Sequence, residues 1–382
     1  MKTFFSLLLL IALFAFSCQQ PNGTVPCIDV TKNYPVKELF LTDIADVTYL
    51  QITSENDDYL YSGTIRAITK NTVIITNSIR LSGDILFFSK EGEPKSRFNR
   101  MGNGPQEYRN AHRVVYDEDA DDLFVVSSSI GSSVKVYSST GVYKREIAFP
   151  DSTIFLNGIV SFDDQSLLCH DESRGRDFES FYLISKADGA VLEYFELPIA
   201  PIFLGITWNG TNVPSMFLRR LIKNKEGVLI CNPENDTVFL YAKDRSLTPI
   251  LTKIPRVAST NPMTHINNCI DVENFQFTEI YILLPGDDYP GNFPVKYYML
   301  DKKTGEIALP KLLLPDYYGK EFSISPMIAG LVNGLENGVV FELDLVELKE
   351  ALVENRLNGK LKELVGKLKE DDNNIYVMVQ FK

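Results

Sequence analysis

The sequence predicts an all-β protein: a six-bladed β-propeller closed by N- and C-terminal strands in one blade, with a helical insertion in that last blade. Three observations carry this. Short apolar or alternating runs, punctuated by turns, recur along most of the 382 residues. They return at a spacing of about 50 residues, the length of one four-stranded blade. The strand-like runs at the two chain ends, each short of a full repeat, complement one another. Composition agrees: 45% hydrophobic and 23% charged residues, with 23 Gly and 19 Pro scattered along the chain, exclude a disordered tail, a collagen and a disulfide miniprotein.

The first element is an export signal over residues 1–17. Lys2 precedes an apolar core, Phe4 to Phe16, broken only by Ser6 and followed by Ser17 and Cys18. One cation, a short apolar stretch and a small residue before the cut form the secretory layout, and the stretch is too short to span a bilayer comfortably. The Ala15–Cys18 ending is similar to a bacterial lipobox, which implies lipidation of Cys18 and attachment to a membrane; an ordinary signal peptide containing a cysteine is the alternative. Residues 18–35 then read as a flexible tether, with Gln19–Thr24 polar throughout.

From residue 36 to 382 the chain reads as propeller. An apolar strand, a turn and a second alternating strand recur at Ile85–Gly92, Val134–Gly141, Phe181–Gly189, Val238–Arg245 and Tyr297–Gly305. Each is preceded by another short hydrophobic strand, as in Thr72–Thr76, Asp122–Val126, Gln165–Cys169 and Gly227–Cys231. One twisted sheet cannot bury both faces alone, and packing blade on blade around an axis does so while leaving short edges. Five units cover residues 61–314. Val339–Leu343 and Ile375–Phe381 supply inner strands of the sixth, and Leu39 through Ile52 its outer one. Between them, Leu345, Leu348, Leu352, Leu361, Leu364 and Leu368 fall near helical spacing, so residues 343–370 read as two helices broken at Asn358–Gly359, packed on one end of the propeller or acting as a lid over its channel.

The densest unusual segment is Arg97–Tyr108. Gly102 and Gly104 permit positive φ and Pro105 stiffens the chain after them, so Arg100, Glu107 and Tyr108 would stand on a rigid loop. An Arg100–Glu107 ion pair between blades is the structural role open to it, ligand contact the functional one. With the N-terminal Asp46–Val47 strand and the Lys360–Asp372 helix before a terminal strand, this Arg-x-Gly-x-Gly-Pro-x-Glu-Tyr loop resembles the six-bladed β-propeller lipoproteins of Bacteroidetes, related to NHL-type propellers. The resemblance implies fold and location and carries no activity. The absence of an acidic cluster after Cys18 implies the periplasmic face of the outer membrane rather than the cell surface. Asp151–Thr153 and Asp236–Val238 match the O-glycosylation sequon of that phylum.

Chemistry is sparse. A formal charge of −12 repels nucleic acid. Three histidines, His112, His170 and His265, limit bases and metal ligands, and no Gly-x-Ser-x-Gly is present. Cys27, Cys169, Cys231 and Cys269 allow two bridges in three connectivities, but Cys169 and Cys231 sit in strand-like runs where buried free thiols are the simpler reading. Asp117–Asp122 holds five carboxylates without the ordered spacing of a calcium loop, so it reads as a solvated turn; no cofactor is predicted, and calcium has no motif behind it. Asp287, Asp288 and Tyr289, in a loop rich in Pro, Gly and aromatics, and Trp208 suit glycan or peptide contact. These observations favour a monomeric, non-catalytic binding or scaffold module for a glycan, peptide or envelope protein. The alternative is an NHL-like or lactonase-like metal-dependent enzyme with inward carboxylates and His at the channel axis.

Overall fold

The computed structural model describes residues 25–53, 63–77, 83–111, 113–126, 133–149, 154–171, 178–199, 205–208, 211–214, 220–283, 294–322, 332, 334, 335 and 337–382. The described chain opens with β1 (Cys27–Asp29), β2 (Val36–Phe40), the one-turn helix α1 (Leu41–Ile44) and β3 (Ala45–Gln51). Blade one follows as β4 (Gly63–Ile68), β5 (Thr72–Asn77), β6 (Asp84–Ser89) and β7 (Pro94–Asn99). Blade two is β8 (Arg113–Asp117), β9 (Asp122–Val126), β10 (Ser133–Tyr137) and β11 (Tyr143–Ala148), and blade three is β12 (Leu156–Ser161), β13 (Ser166–Asp171), β14 (Phe178–Ser185) and β15 (Val191–Pro198). A hairpin, β16 (Gly205–Trp208) with β17 (Thr211–Pro214), precedes blade four: β18 (Arg220–Lys223), β19 (Gly227–Cys231), β20 (Thr237–Ala242) and β21 (Leu247–Ile254). Blade five is β22 (Met263–Asp271), β23 (Phe275–Leu283), β24 (Val295–Asp301) and β25 (Ile307–Leu314), extended by β26 (Tyr317–Phe322). Blade six is β27 (Gly338–Leu343) and β28 (Ile375–Phe381), with β3 as its outer strand.

The expected closure is present. β3 pairs antiparallel with β28 from Ala45↔Phe381 to Gln51↔Ile375, so the two ends of the chain share one sheet. Alternation along each strand explains why a ring forms. In β9, Leu123 and Val125 pack toward blade one while Phe124 and Val126 pack toward blade three. Both faces are apolar, so both need a neighbouring sheet. Among the described residues six apolar clusters result, one at each blade-to-blade interface, and the one holding Leu50, Ile65, Val340 and Tyr376 joins blade six to blade one. The structure is a six-bladed β-propeller.

Two N-terminal pieces sit elsewhere than expected. Within the stretch read as a tether, β1 adds parallel to the outer strand of blade four, Cys27↔Thr252 to Asp29↔Ile254, and buries Ile28 in the interface with blade five. Leu39 and Phe40, expected in the outer strand of the closing blade, belong instead to β2, which adds parallel to blade five, Val36↔Leu309 to Phe40↔Leu313; only after α1 does the chain reach blade six. The N-terminal segment thus covers two sheet edges before completing a third blade.

The helical insertion forms as α2 (Leu345–Val353) and α3 (Gly359–Lys367). Asp344 caps α2 by accepting from the Glu347 N–H at 3.0 Å, and Asn358 is the N-cap residue of α3. Leu345, Leu348, Leu361 and Val365 pack with Leu41 and Ile44 of α1, Tyr317 and Phe322 of β26, and Phe381. The pair is therefore a wedge between blades five and six.

Candidate functional site

The two ends of the propeller differ in the connections they carry. At one end the first strand of a blade turns into the second and the third into the fourth. In blades one to five these turns are tight, from residues 69–71, 224–226 and 272–274 up to 138–142, 186–190 and 302–306; in blade six the same connection, 344–374, carries the two helices. At the other end the second strand of a blade leaves for the third and the fourth leaves for the next blade; the described links there include 100–111 and 255–262.

The tight-turn end is closed by polar bonds. Glu118, in the first turn of blade two, accepts from the Thr72 hydroxyl at 2.6 Å and the Asn71 N–H at 3.0 Å, both in blade one. Asp117 pairs with Lys186 of blade three at 2.8 Å, and Asp122 with Arg145 at 2.6 Å and Lys144 at 2.8 Å. Asp121 accepts from Tyr116 and from the Ser139 N–H. The acidic run 117–122, expected as a solvated turn, therefore ties three blades together. Burial pushes the Asp122 carboxyl up, but hydrogen bonds from Arg145 and Lys144 more than offset it and hold the group below its ordinary value.

The long-connection end holds polar side chains on inner strands. His170 and Glu179 of blade three are both buried with Nε2 and Oε1 3.3 Å apart, and the imidazole stacks on Phe181 at 4.9 Å between centroids. Asp171 accepts from the Phe155 N–H at 2.9 Å. In blade five, Asn267 is the extra residue of a bulge in β22 and donates to Glu279 Oε2 at 2.5 Å, while Tyr297 reaches Oε1 at 3.4 Å. His265 lies buried, edge-on to Tyr281. In blade one, Arg66 is the extra residue of the β4 bulge and donates from Nε to Thr76 Oγ1 at 2.9 Å. Burial draws its guanidinium below its ordinary pKa, with no opposing charge to counter it. Arg113 opens the innermost strand of blade two and is buried. Among the described residues no three of His, Cys, Asp and Glu come together as a metal-ligand set, so the converging ligands required by the enzyme alternative are not found there.

The Arg97–Tyr108 loop runs from the outer strand of blade one to the inner strand of blade two, and its bonds are architectural. The buried Tyr108 hydroxyl donates to Gly83 O at 2.6 Å and accepts from the Arg100 N–H at 3.0 Å. Arg100 Nε donates to Gly141 O at 3.0 Å; Lys135 Nζ and the Tyr137 hydroxyl bond the carbonyls of Pro105 and Gln106. Glu107 accepts from the Gly104 N–H at 2.8 Å, so Arg100 and Glu107 each engage backbone rather than each other. Neither Gly102 nor Gly104 adopts positive φ. Gly102 is required for another reason: a Cβ there would lie 1.9 Å from the Glu107 carboxylate folded over it.

Cys18, His112, Asp287, Asp288, Tyr289 and the sequon at 151–153 lie outside the described residues. Trp208 ends β16 opposite Thr211. In the second sequon, Asp236 is occupied, accepting from the Val257 N–H and pairing with Lys253 at 2.8 Å. Cys27, Cys169, Cys231 and Cys269 are all free thiols, the last three buried. Sequence reasoning missed Arg66 and Glu279. Each sits in an alternating strand, where a charged residue reads as a solvent-facing one, and only the register shift beside Arg66 or the pairing with a bulged Asn267 reveals its place.

Residues 25–380 match the family described as "Domain of unknown function (DUF4934)", and the chain belongs to that family. No curated protein matches it in sequence. Among solved structures, a "Putative exported protein" from Bacteroides fragilis superposes with a TM-score of 0.64 at 16% identity, covering 94% of this chain and 100% of the other. The N-terminal domain of Nup159 gives 0.43 at 7% identity over 84% of this chain and 77% of that one; the Neurospora crassa Pan2 WD40 domain gives 0.38 at 11% over 69% and 75%. The first of these supports the propeller fold.

Proposed function

We propose that the protein is an exported, lipid-anchored binding module that holds a glycan, peptide or envelope protein at the long-connection end of its propeller. The observation that carries the reading is the asymmetry of the two ends. One is locked by short turns and ion pairs in blades one to five and by the packed helix pair in blade six, and has little freedom to accommodate a ligand. The other gathers the longer connections above buried polar groups on the inner strands, which is where rigid scaffolds present recognition loops. In this reading Trp208, in the hairpin between blades three and four, is a ligand contact together with Asp287, Asp288 and Tyr289.

Export is supported by the signal-like residues 1–17 and by the name of the Bacteroides fragilis neighbour. A lipid on Cys18 would join the propeller through residues 18–24, which span at most about 25 Å. The attachment point is then the rim of blade four, where Pro26 O accepts from the Thr252 N–H. The protein would face the periplasm from the outer membrane as a monomer. Two experiments test the reading. Fatty-acid labelling in cells is expected on the wild type and lost in Cys18→Ala; an unlabelled wild type contradicts the anchor. Glycan and peptide arrays probed with the full propeller are expected to show saturable binding; none on either array contradicts the binding role.

A further inference from the structure

We propose that the inner wall of blade one is an anion site, with Arg66 as its principal contact. The inference deepens the binding reading above and rests on it for which end of the propeller is used. β4 and β8 are the innermost strands of their blades, and the clusters on either side of β4 place Ala67 against blade two and Ile65 against blade six. Arg66 bulges out between those two residues and is partly buried. Its Nε bonds Thr76, which pairs with Thr64 near the start of β4, so the side chain runs from mid-strand toward the long-connection end.

Three other cations drawn from water among the described residues are matched by carboxylates. Lys253 meets Asp236 at 2.8 Å, Lys186 meets Asp117 at 2.8 Å, and Arg145 meets Asp122 at 2.6 Å. Arg66 has a hydroxyl partner and no carboxylate among the described residues, and burial is the sole cause of its displaced pKa. A guanidinium does not shed its proton under these conditions, so the cost of desolvating it stands until an anion approaches. Its free edge, the two terminal nitrogens, is the fork that binds a carboxylate or phosphate group in two parallel hydrogen bonds. The net charge of −12 weakens long-range attraction of such ligands, so recognition depends on this short-range contact. The ligand class is an oxyanion carried on a larger molecule: a uronate sugar, an acidic peptide terminus or a phosphate ester.

The test uses the full propeller and three probes, glucuronate, acetyl-glycine and inorganic phosphate, each read by calorimetry and thermal shift against chloride at equal ionic strength. At least one probe is expected to bind wild type, at least tenfold more weakly to Arg66→Gln, and to Arg97→Gln, a control on the outer strand of blade one, as to wild type. Which probe binds separates the carboxylate sources from phosphate. Without ligand, Arg66→Gln is expected to melt at or above the wild-type temperature, because an uncompensated charge has gone. A purely structural Arg66 predicts the opposite: lower stability and no ligand-specific change. Equal binding by wild type and Arg66→Gln, or no probe binding above the chloride control, overturns the proposal. If array ligands still bind the long-connection end while anions neither bind nor compete, the anion site falls and the broader binding reading stands.

Discussion

Gly141 lies directly against the ring of Phe98, so close that a Cβ on the glycine would sit 2.5 Å from the ring's Cγ. Gly141 is in the last turn of blade two and Phe98 in the outer strand of blade one. The same contact recurs around the ring: Gly92 of blade one sits on Gln51 of blade six, and Gly189 of blade three on Ile147 of blade two. In blade four Arg245 takes the position with φ 67° and reaches Glu193 of blade three at 3.8 Å. The repeated turn glycine therefore does two things: it adopts a left-handed backbone and lets one blade nest on the rim of the last.

That double role separates two substitutions. Gly305→Ala, with φ 73° and nothing within 4 Å of the new Cβ, is expected to cost only the backbone strain, about 1–2 kcal/mol. Gly141→Ala adds the collision with Phe98 and should cost clearly more. Urea unfolding of both checks this; equal losses would mean that blade contact contributes nothing.

Tyr108→Phe should destabilise by about 1–3 kcal/mol, because it leaves Gly83 O and the Arg100 N–H without their buried hydroxyl partner. Chemical denaturation measures it. No loss of stability would return the loop to the list of ligand-contact candidates.

Ile28→Ala tests whether the N-terminal segment is docked. Ile28 is 2% exposed in the interface of blades four and five, so the truncation should cost about 2–5 kcal/mol. A tether free of the propeller predicts no change.

Acid should loosen the tight-turn end. The folded pKa of Asp122 is depressed, so its contribution to stability is full above the ordinary value of 3.8 and is lost as pH falls through the lower folded value. Glu118 is likewise depressed: burial raises it, and hydrogen bonds from Thr72 and Asn71 outweigh that. Stability measured from pH 6 down to pH 3 should fall, and the Asp122→Asn variant should show a shallower fall at the acid end. Identical slopes would contradict the linkage.

How much of this was legible in sequence follows from what each signal measures. Blade number, closure and the paired helices rest on apolar period and turn residues, which report local backbone and face; Gly92, Gly141, Gly189 and Gly305 all prove left-handed as their turns demand. Alternation does not say which sheet a strand joins, so Leu39 and Phe40 were placed one blade too far, and Ile28 passed for tether because a three-residue strand has no period to read. The loop at 100–108 was visible, but the reason for Gly102, a carboxylate folding back over it, is a tertiary contact. Arg66 was invisible because a bulge is a property of pairing, not of one strand.

Hydrogen–deuterium exchange on the propeller, with and without its best array ligand, tests the central claim most directly. Protection is expected on the inner strands and links at the long-connection end, including Gly63–Ile68 and Arg113–Asp117, while the tight turns at 117–122 and 186–190 stay unchanged. Protection confined to those tight turns or to the outer rim would contradict it.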